Sequence, residues 1–318
     1  MASTSSRTGK GKPASSAPRS ASAAERQARV AAMRAAQNRR ERQQRALWIS
    51  VTAVVVIVLL VGVLVGIKLS GGGKSAAGAT GPASVAVVRD VTGVSAATLT
   101  AVGAGQVQAR PKPLNAPPLT ANGKPRVLYI GAEYCPFCAA ERWPIAVALS
   151  RFGTWSNLGA TSSSSSDAYA NTATLSFHGA TYTSDLLSFT GVEQTSNVRS
   201  GSGYKPLDTP SSADQALLTK YDAPPYVSAS SAGSIPFVDL GGKYLITGAS
   251  YSPQVIAGKS HEQIAAALAD PGSAIAKAVD GTANAVTATL CELTGQKPAA
   301  VCGSAVITAL QGSINAGR

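Results

Sequence analysis

Histidine is nearly absent from this chain of 318 residues, which has two, and methionine is equally scarce. Cysteine occurs four times and aromatic residues make up only 5%. Each scarcity closes off a class of function. Neither His178 nor His261 lies near a Gly-x-Ser-x-Gly elbow, which is absent, so a serine hydrolase has no support. A Gly-x-x-x-x-Gly-Lys phosphate loop is also missing. A zinc site needs about four ligands, usually as two pairs. Beyond one close cysteine pair the chain offers only those histidines and the widely spaced Cys291 and Cys302, so no metal and no other cofactor is expected. His178, beside Gly179 at an expected strand end, and His261, at a helix start, read as structural or solvated. No internal repeat is present.

Acidic residues are few as well: 16 Asp and Glu against 28 Lys and Arg, a formal net charge of +12. The excess is concentrated at one end. Residues 1–46 hold eleven Lys and Arg against Glu25 and Glu41, a local charge of +9, which leaves +3 for everything else. A domain so close to neutrality has no footprint for a phosphate backbone, so nucleic acid is not an expected partner. The basic segment lacks interleaved aromatics that would stack bases, and reads as a polybasic stretch that sets topology and touches anionic lipid.

From Leu47 to Ile67 charge is absent altogether over 21 residues. At about 1.5 Å per helical residue this run spans a hydrocarbon core of about 30 Å, which predicts a transmembrane helix. Basic and apolar regions are both too long for a cleavable signal peptide, so the helix reads as an uncleaved anchor. The positive-inside bias puts the N-terminus in the cytoplasm and the C-terminal part outside it, in a single-pass arrangement at the cell membrane. The expected organisation is a basic, partly disordered cytoplasmic tail (1–46), the span (47–67), a flexible Gly/Ser/Ala linker (68–84) and one extracytoplasmic domain (85–318).

Within that domain Arg126–Gly131 is a short apolar run bounded by turn residues, and so a buried strand. A helix is expected from Pro136 to about Phe152, kinked at Pro144. Thr174–Phe177 and Asp185–Phe189 read as strands or a hairpin, and Ala213–Lys220 as a helix. Ile235–Leu240 and Tyr244–Thr247 form a two-strand unit turning at Gly241-Gly242. Helical patterns follow at Glu262–Leu268 and Ile275–Leu293. The serine run Ser162–Ser166 reads as a solvated loop.

Between the first strand and helix lies Gly131-Ala-Glu-Tyr-Cys-Pro-Phe-Cys138. A thiol attacks a disulfide only as the thiolate, so exchange chemistry needs a stabilised sulfur anion and a second thiol nearby. Cys135 at a helix N-terminus meets unpaired N–H groups and the positive end of the dipole. Pro136 suits the first helical position, and Cys138, one turn on, is the natural resolving thiol. A structural disulfide across so short a loop would add little chain-entropy stabilisation.

These residues resemble the thioredoxin superfamily, whose pattern is strand, Ala-Glu-Trp-Cys-x-x-Cys, helix, with Tyr134 here in place of Trp. Ile235-Pro236 before the two-strand unit resembles that superfamily's cis-proline. The fold this implies is α/β: a thioredoxin-like mixed sheet flanked by helices, with an insertion between the CxxC helix and the cis-Pro strand, preceded by the transmembrane helix. The resemblance implies that Cys135 and Cys138 carry exchange and that Ile235, Pro236, Tyr134, Pro136 and Phe137 meet an extended substrate. The stretch from about Ser84 to Ala309 also resembles a membrane-anchored family, the domain of unknown function nine-two-nine.

Two departures stand out. Where many such enzymes carry a buried carboxylate six residues before the first cysteine, this chain has Tyr129. Proton transfer would then pass through water, Glu133 or Glu141, although each acid reads first as a solvated surface residue. The interval from Cys138 to Ile235 is also about twice that of a plain thioredoxin, and oxidase-type relatives carry an inserted helical region there.

Cys291 and Cys302 flank Gly295, a helix C-cap, and Pro298, the expected first position of the next helix. They read as a structural disulfide on facing turns, with a relay pair as the alternative; four cysteines allow three connectivities. Pro-Phe between the cysteines resembles oxidases and glutaredoxins more than reducing thioredoxins. The expected function is an envelope oxidase or isomerase acting on protein thiols or disulfides of envelope or secreted proteins, recycled by a membrane redox partner. The alternative is a non-catalytic binding or assembly module braced by both pairs.

Overall fold

The computed structural model describes residues 80–315. The basic tail, the span expected over 47–67 and most of the linker lie outside the described residues. Among the described residues no single helix is long and apolar enough to cross a membrane.

The chain enters through β1 (Gly81–Pro82), α1 (Val85–Thr92) and α2 (Ala96–Val102), then β2 (Lys112–Pro113), β3 (Thr120–Ala121) and β4 (Lys124–Gly131). Next come α3 (Pro136–Ser150), β5 (Thr154–Ser156), β6 (Gly159–Ser162), β7 (Ala173–Ser176) and β8 (Thr181–Thr183). β9 (Ser188–Glu193), β10 (Thr195–Ser200), β11 (Gly203–Pro206) and α4 (Ser212–Tyr221) lead to the hairpin β12 (Phe237–Leu240) and β13 (Tyr244–Thr247). The chain closes with α5 (His261–Ala267), α6 (Ala274–Leu293), α7 (Ala299–Cys302) and α8 (Ala305–Asn315).

The architecture is α/β, with a mixed sheet flanked by helices. Its strands run β2-β13-β12-β4-β3, and β9 also pairs with β4. β12 is antiparallel to β4, whereas β9 runs parallel to it from Arg126 opposite Ser188 to Gly131 opposite Glu193. Side chains alternate between the faces of a strand. Val127 and Tyr129 of β4, with Val238 and Leu240 of β12, enter the larger core against α3 and α6. Leu128, Ile130, Phe237 and Leu245 enter a smaller one closed by Tyr221 of α4. Burial on both faces is why β4 reads as a continuous apolar run. α3 is buried almost all round and continues through Pro144. Trp143, fully buried, donates its indole N–H to Ala173 O at 3.3 Å.

Several expectations need correction. Thr174–Phe177 and Asp185–Phe189 do not form a hairpin: β7 pairs with β6 in a separate antiparallel sheet, and β9 joins the central one. Between α3 and β12 the regular structure is seven short strands, β5 to β11, with α4 the one α-helix among the described residues, because alternating Thr, Ser and apolar residues favour strands there. Ser162–Ser166 is not a solvated loop at its start. Ser163 and Ser164 are buried, and their N–H groups donate to Thr172 O and Tyr134 O. The end of the expected linker is also anchored, since Gly81 and Pro82 pair with Ala160 and Gly159. Pro298 is the N-cap of α7 rather than its first residue.

Candidate functional site

Cys135 is the N-cap of α3, with extended backbone (φ −79°, ψ 122°) and Pro136 directly after it. Its Sγ accepts the backbone N–H of Cys138 at 3.4 Å, as a serine or aspartate oxygen does at most caps. Both thiols are free; Cys135 is 6% exposed and Cys138 fully buried. On the other side Cys135 Sγ lies 3.7 Å from Ile235 O, to which the thiol donates. The Ile235–Pro236 peptide is cis.

The surroundings shift the two thiols' titration in opposite directions. A hydrogen bond from the Cys138 side chain, then the Cys138 backbone N–H and the Arg142 charge, draw the Cys135 thiol below its ordinary range against the opposing effect of burial. Burial first, and then the Cys135 sulfur, push the Cys138 thiol well up.

A cleft of about 580 Å³ opens beside the pair, lined by Lys112, Tyr134, Phe137, Val227, Gly233 and Ile235 among others. Three residues expected to meet a substrate, Tyr134, Phe137 and Ile235, thus share one wall system. Pro136 and Pro236 are buried and do not line the cleft. Phe137 is 43% exposed, with its ring edge-on to Tyr169. Tyr134 is stacked on Tyr204, and Arg199 caps that stack, its guanidinium carbon 4.6 Å from the Tyr204 ring centroid.

Beneath the cysteines lies a buried ion pair. Arg142 Nε and Nη2 each donate to Glu193 at 2.7 Å, and Nη2 also donates to Ala132 O at 2.7 Å. Arg142 and Glu193 are both fully buried. Tyr129 packs alongside, 5.9 Å from ring centroid to guanidinium carbon. Neither Tyr129 Oη nor Arg142 Nη1 has a hydrogen-bond partner among the described residues. Sequence reasoning missed this pair. The available signal was Arg142 itself, a cation one turn after Cys138 in a helix that is buried almost all round.

Glu133 and Glu141 are not surface acids: both are fully buried. Glu133 accepts from Ser176 Oγ at 2.6 Å and from Thr80 Oγ1. Glu141 accepts from the N–H and hydroxyl of Ser250 at 2.7 and 3.0 Å, and burial pushes it up to about 7. These partners are hydroxyls and a backbone N–H, not a thiol. His178 pairs through Nδ1 with Asp208 at 2.7 Å, whereas His261 Nε2 sits 2.7 and 3.0 Å from Thr161 O and Thr174 O, tying α5 to the β6–β7 sheet. Cys291 and Cys302 are joined by a disulfide. Among the described residues no group of three or more His, Cys, Asp or Glu could hold a metal ion.

No curated protein and no solved structure matches the chain. A family model described as a domain of unknown function, DUF929, matches residues 112–292. That span is more than half of the chain and takes in both free cysteines, the Ile235–Pro236 peptide and the Arg142–Glu193 pair, so the protein belongs to the DUF929 family.

Proposed function

We propose that this protein is a membrane-anchored thiol-disulfide oxidoreductase with a thioredoxin-like domain outside the cytoplasm, acting as an oxidase or isomerase on envelope or secreted proteins. The observation that carries the reading is Cys135, a slightly exposed thiol at a helix N-cap with a buried partner thiol at Cys138 and the Ile235 carbonyl beside it. The order of β4, the cysteine helix, Ile235-Pro236 and the antiparallel β12–β13 hairpin next to β4 supports the thioredoxin-like reading.

In the oxidised protein Cys135 and Cys138 share a disulfide. A substrate thiolate attacks the Cys135 sulfur; the mixed disulfide forms, the bond to Cys138 breaks, and its electron pair leaves on Cys138. Burial favours the neutral thiol there, so Cys138 takes up a proton. A second substrate thiolate then attacks the first substrate sulfur and expels Cys135, a good leaving group because its thiolate is stabilised. Two electrons have passed from a substrate dithiol to the cysteine couple, and a membrane redox partner removes them. Tyr134, Phe137 and Ile235 would hold an extended substrate in the cleft.

The test uses the full-length protein in its membrane. Cys138→Ser should accumulate mixed disulfides that dithiothreitol releases, and Cys135→Ser should accumulate none. If Cys138→Ser traps no partner, the exchange reading fails. Tyr129, standing where a strand carboxylate would serve proton transfer, favours a second reading as a binding module. On that reading a Cys135→Ser/Cys138→Ser double variant keeps its cellular role.

A further inference from the structure

Arg142 is placed to act on the cysteines without touching a substrate. It follows Cys138 by four residues on α3, hence on the same helix face, and both side chains are fully buried. Its Nη2 donates to Ala132 O, the same carbonyl that accepts the backbone N–H of Cys135 at 3.2 Å. One carbonyl oxygen thus ties the guanidinium to the loop carrying Cys135. Glu193 reaches the site from β9, which pairs in parallel with β4. Tyr129 faces the pair from β4, Tyr134 precedes Cys135 in the loop, and Glu133 stands behind Glu193.

Burying an ion pair is costly, and replacing a buried pair by apolar residues of similar volume is often neutral or stabilising in proteins. A fully buried guanidinium, with Nη1 and the neighbouring Tyr129 Oη both without a hydrogen-bond partner among the described residues, points to a charge that serves the sulfurs. We infer that the Arg142–Glu193 pair sets the redox poise of the cysteine couple: the guanidinium favours the reduced, anionic form, and Glu193 limits that effect. Arg142 and Glu193 are positioning residues in this scheme, which rests on the exchange reading. The balanced step is protein disulfide plus substrate dithiol giving protein thiolate and thiol, substrate disulfide and one proton. Positive charge beside the product thiolate drives it forward, whereas a carboxylate at the Tyr129 position would oppose it. The direction of the Cys135 shift agrees, since the Arg142 charge lowers it.

The experiment follows the alkylation rate of Cys135 against pH, and the equilibrium with glutathione, in the purified full-length chain. Glu193→Gln keeps the shape and removes the counter-charge. Cys135 should then titrate about one pH unit lower, and the equilibrium should move about tenfold toward the reduced protein, which is about 30 mV for a two-electron couple. An Arg142→Met/Glu193→Gln double variant, which removes both members of the ion pair together, should move both quantities the other way. Changes under twofold in both variants overturn the inference. So does a wild-type Cys135 that titrates at or above an ordinary thiol, about 8.5, a result independent of whether the variants fold. If the thiolate titrations move as expected but the wild-type chain never equilibrates with glutathione, the exchange reading falls while the electrostatic role of the pair stands.

Discussion

The ring of Tyr204 lies flat on that of Tyr134, with centroids 4.2 Å apart and planes 4° from parallel. Tyr134 precedes Cys135 and Tyr204 belongs to the β10–β11 hairpin, so the stack clamps that hairpin onto the cysteine loop. The Tyr204 hydroxyl completes the clamp by donating to Ser164 Oγ at 2.7 Å.

This clamp predicts a graded response. Tyr204→Phe keeps the stack and removes one part-buried hydrogen bond, at a cost of about 1 kcal/mol. Tyr204→Ala also loses the stacking, for a further 0.5–1.5 kcal/mol or so beyond the lost apolar area. Urea midpoints of the full-length chain rank the two, and equal losses would mean that the rings contribute nothing.

The disulfide between Cys291 and Cys302 closes a loop of 11 residues in sequence separation at the end of α6. Replacing both cysteines by alanine should cost about 3 kcal/mol on the loop-entropy account. Cys135 alkylation should stay unchanged. A slower rate of Cys135 and Cys138 turnover in a variant of undiminished stability would instead assign the second pair to electron relay.

Asp280 is fully buried in α6, its carboxylate oxygens have no hydrogen-bond partner among the described residues, and burial pushes it up to about 8. Glu141 is pushed up to about 7 for the same reason. An acid whose folded value is raised binds its proton more tightly in the native state. Its contribution is therefore complete below the unfolded value, near 4, and is lost as pH rises through the folded one. Stability should fall between pH 5 and pH 8, by a few kcal/mol on the order of magnitude that one such shift implies. Asp280→Asn should flatten the upper part of that fall, which urea midpoints at the two pH values would reveal; an unchanged slope would count against the assignment.

Gly242 turns the β12–β13 hairpin with φ +72°, and a Cβ there would lie 2.2 Å from Pro117 O. Both the left-handed backbone and the close approach demand glycine. Gly242→Ala should cost upwards of 1 kcal/mol and shift the hairpin that follows Ile235 and Pro236. Gly248→Ala, also at positive φ (+76°) but with open space around its Cβ, should cost less. Thermal midpoints of the two variants make the comparison.

What could be read from the sequence was what local chemistry decides. β4 announces itself as an apolar run, Cys135-Pro136 as a helix start, and Gly241-Gly242 as a turn, because each depends on residues only a few positions apart. The exposure of a carboxylate has no such local signature. Glu133 and Glu141 read as surface acids, yet hydroxyls from Thr80, Ser176 and Ser250 receive them inside the fold. Ser163 and Ser164 read as solvated for the same reason, and lie buried because the Thr172 and Tyr134 carbonyls supply their backbone partners.

Composition, charge placement and capping are properties of the chain, and they suffice to establish a near-neutral domain carrying a close cysteine pair at a helix start. What surrounds that pair depends on how distant segments fold together. Arg142 and Glu193 stand 51 positions apart and meet because β9 runs parallel to β4 and ends level with Gly131. A buried charge exists only where a distant segment supplies its partner, and the register of two strands is what brings that partner to the cysteines.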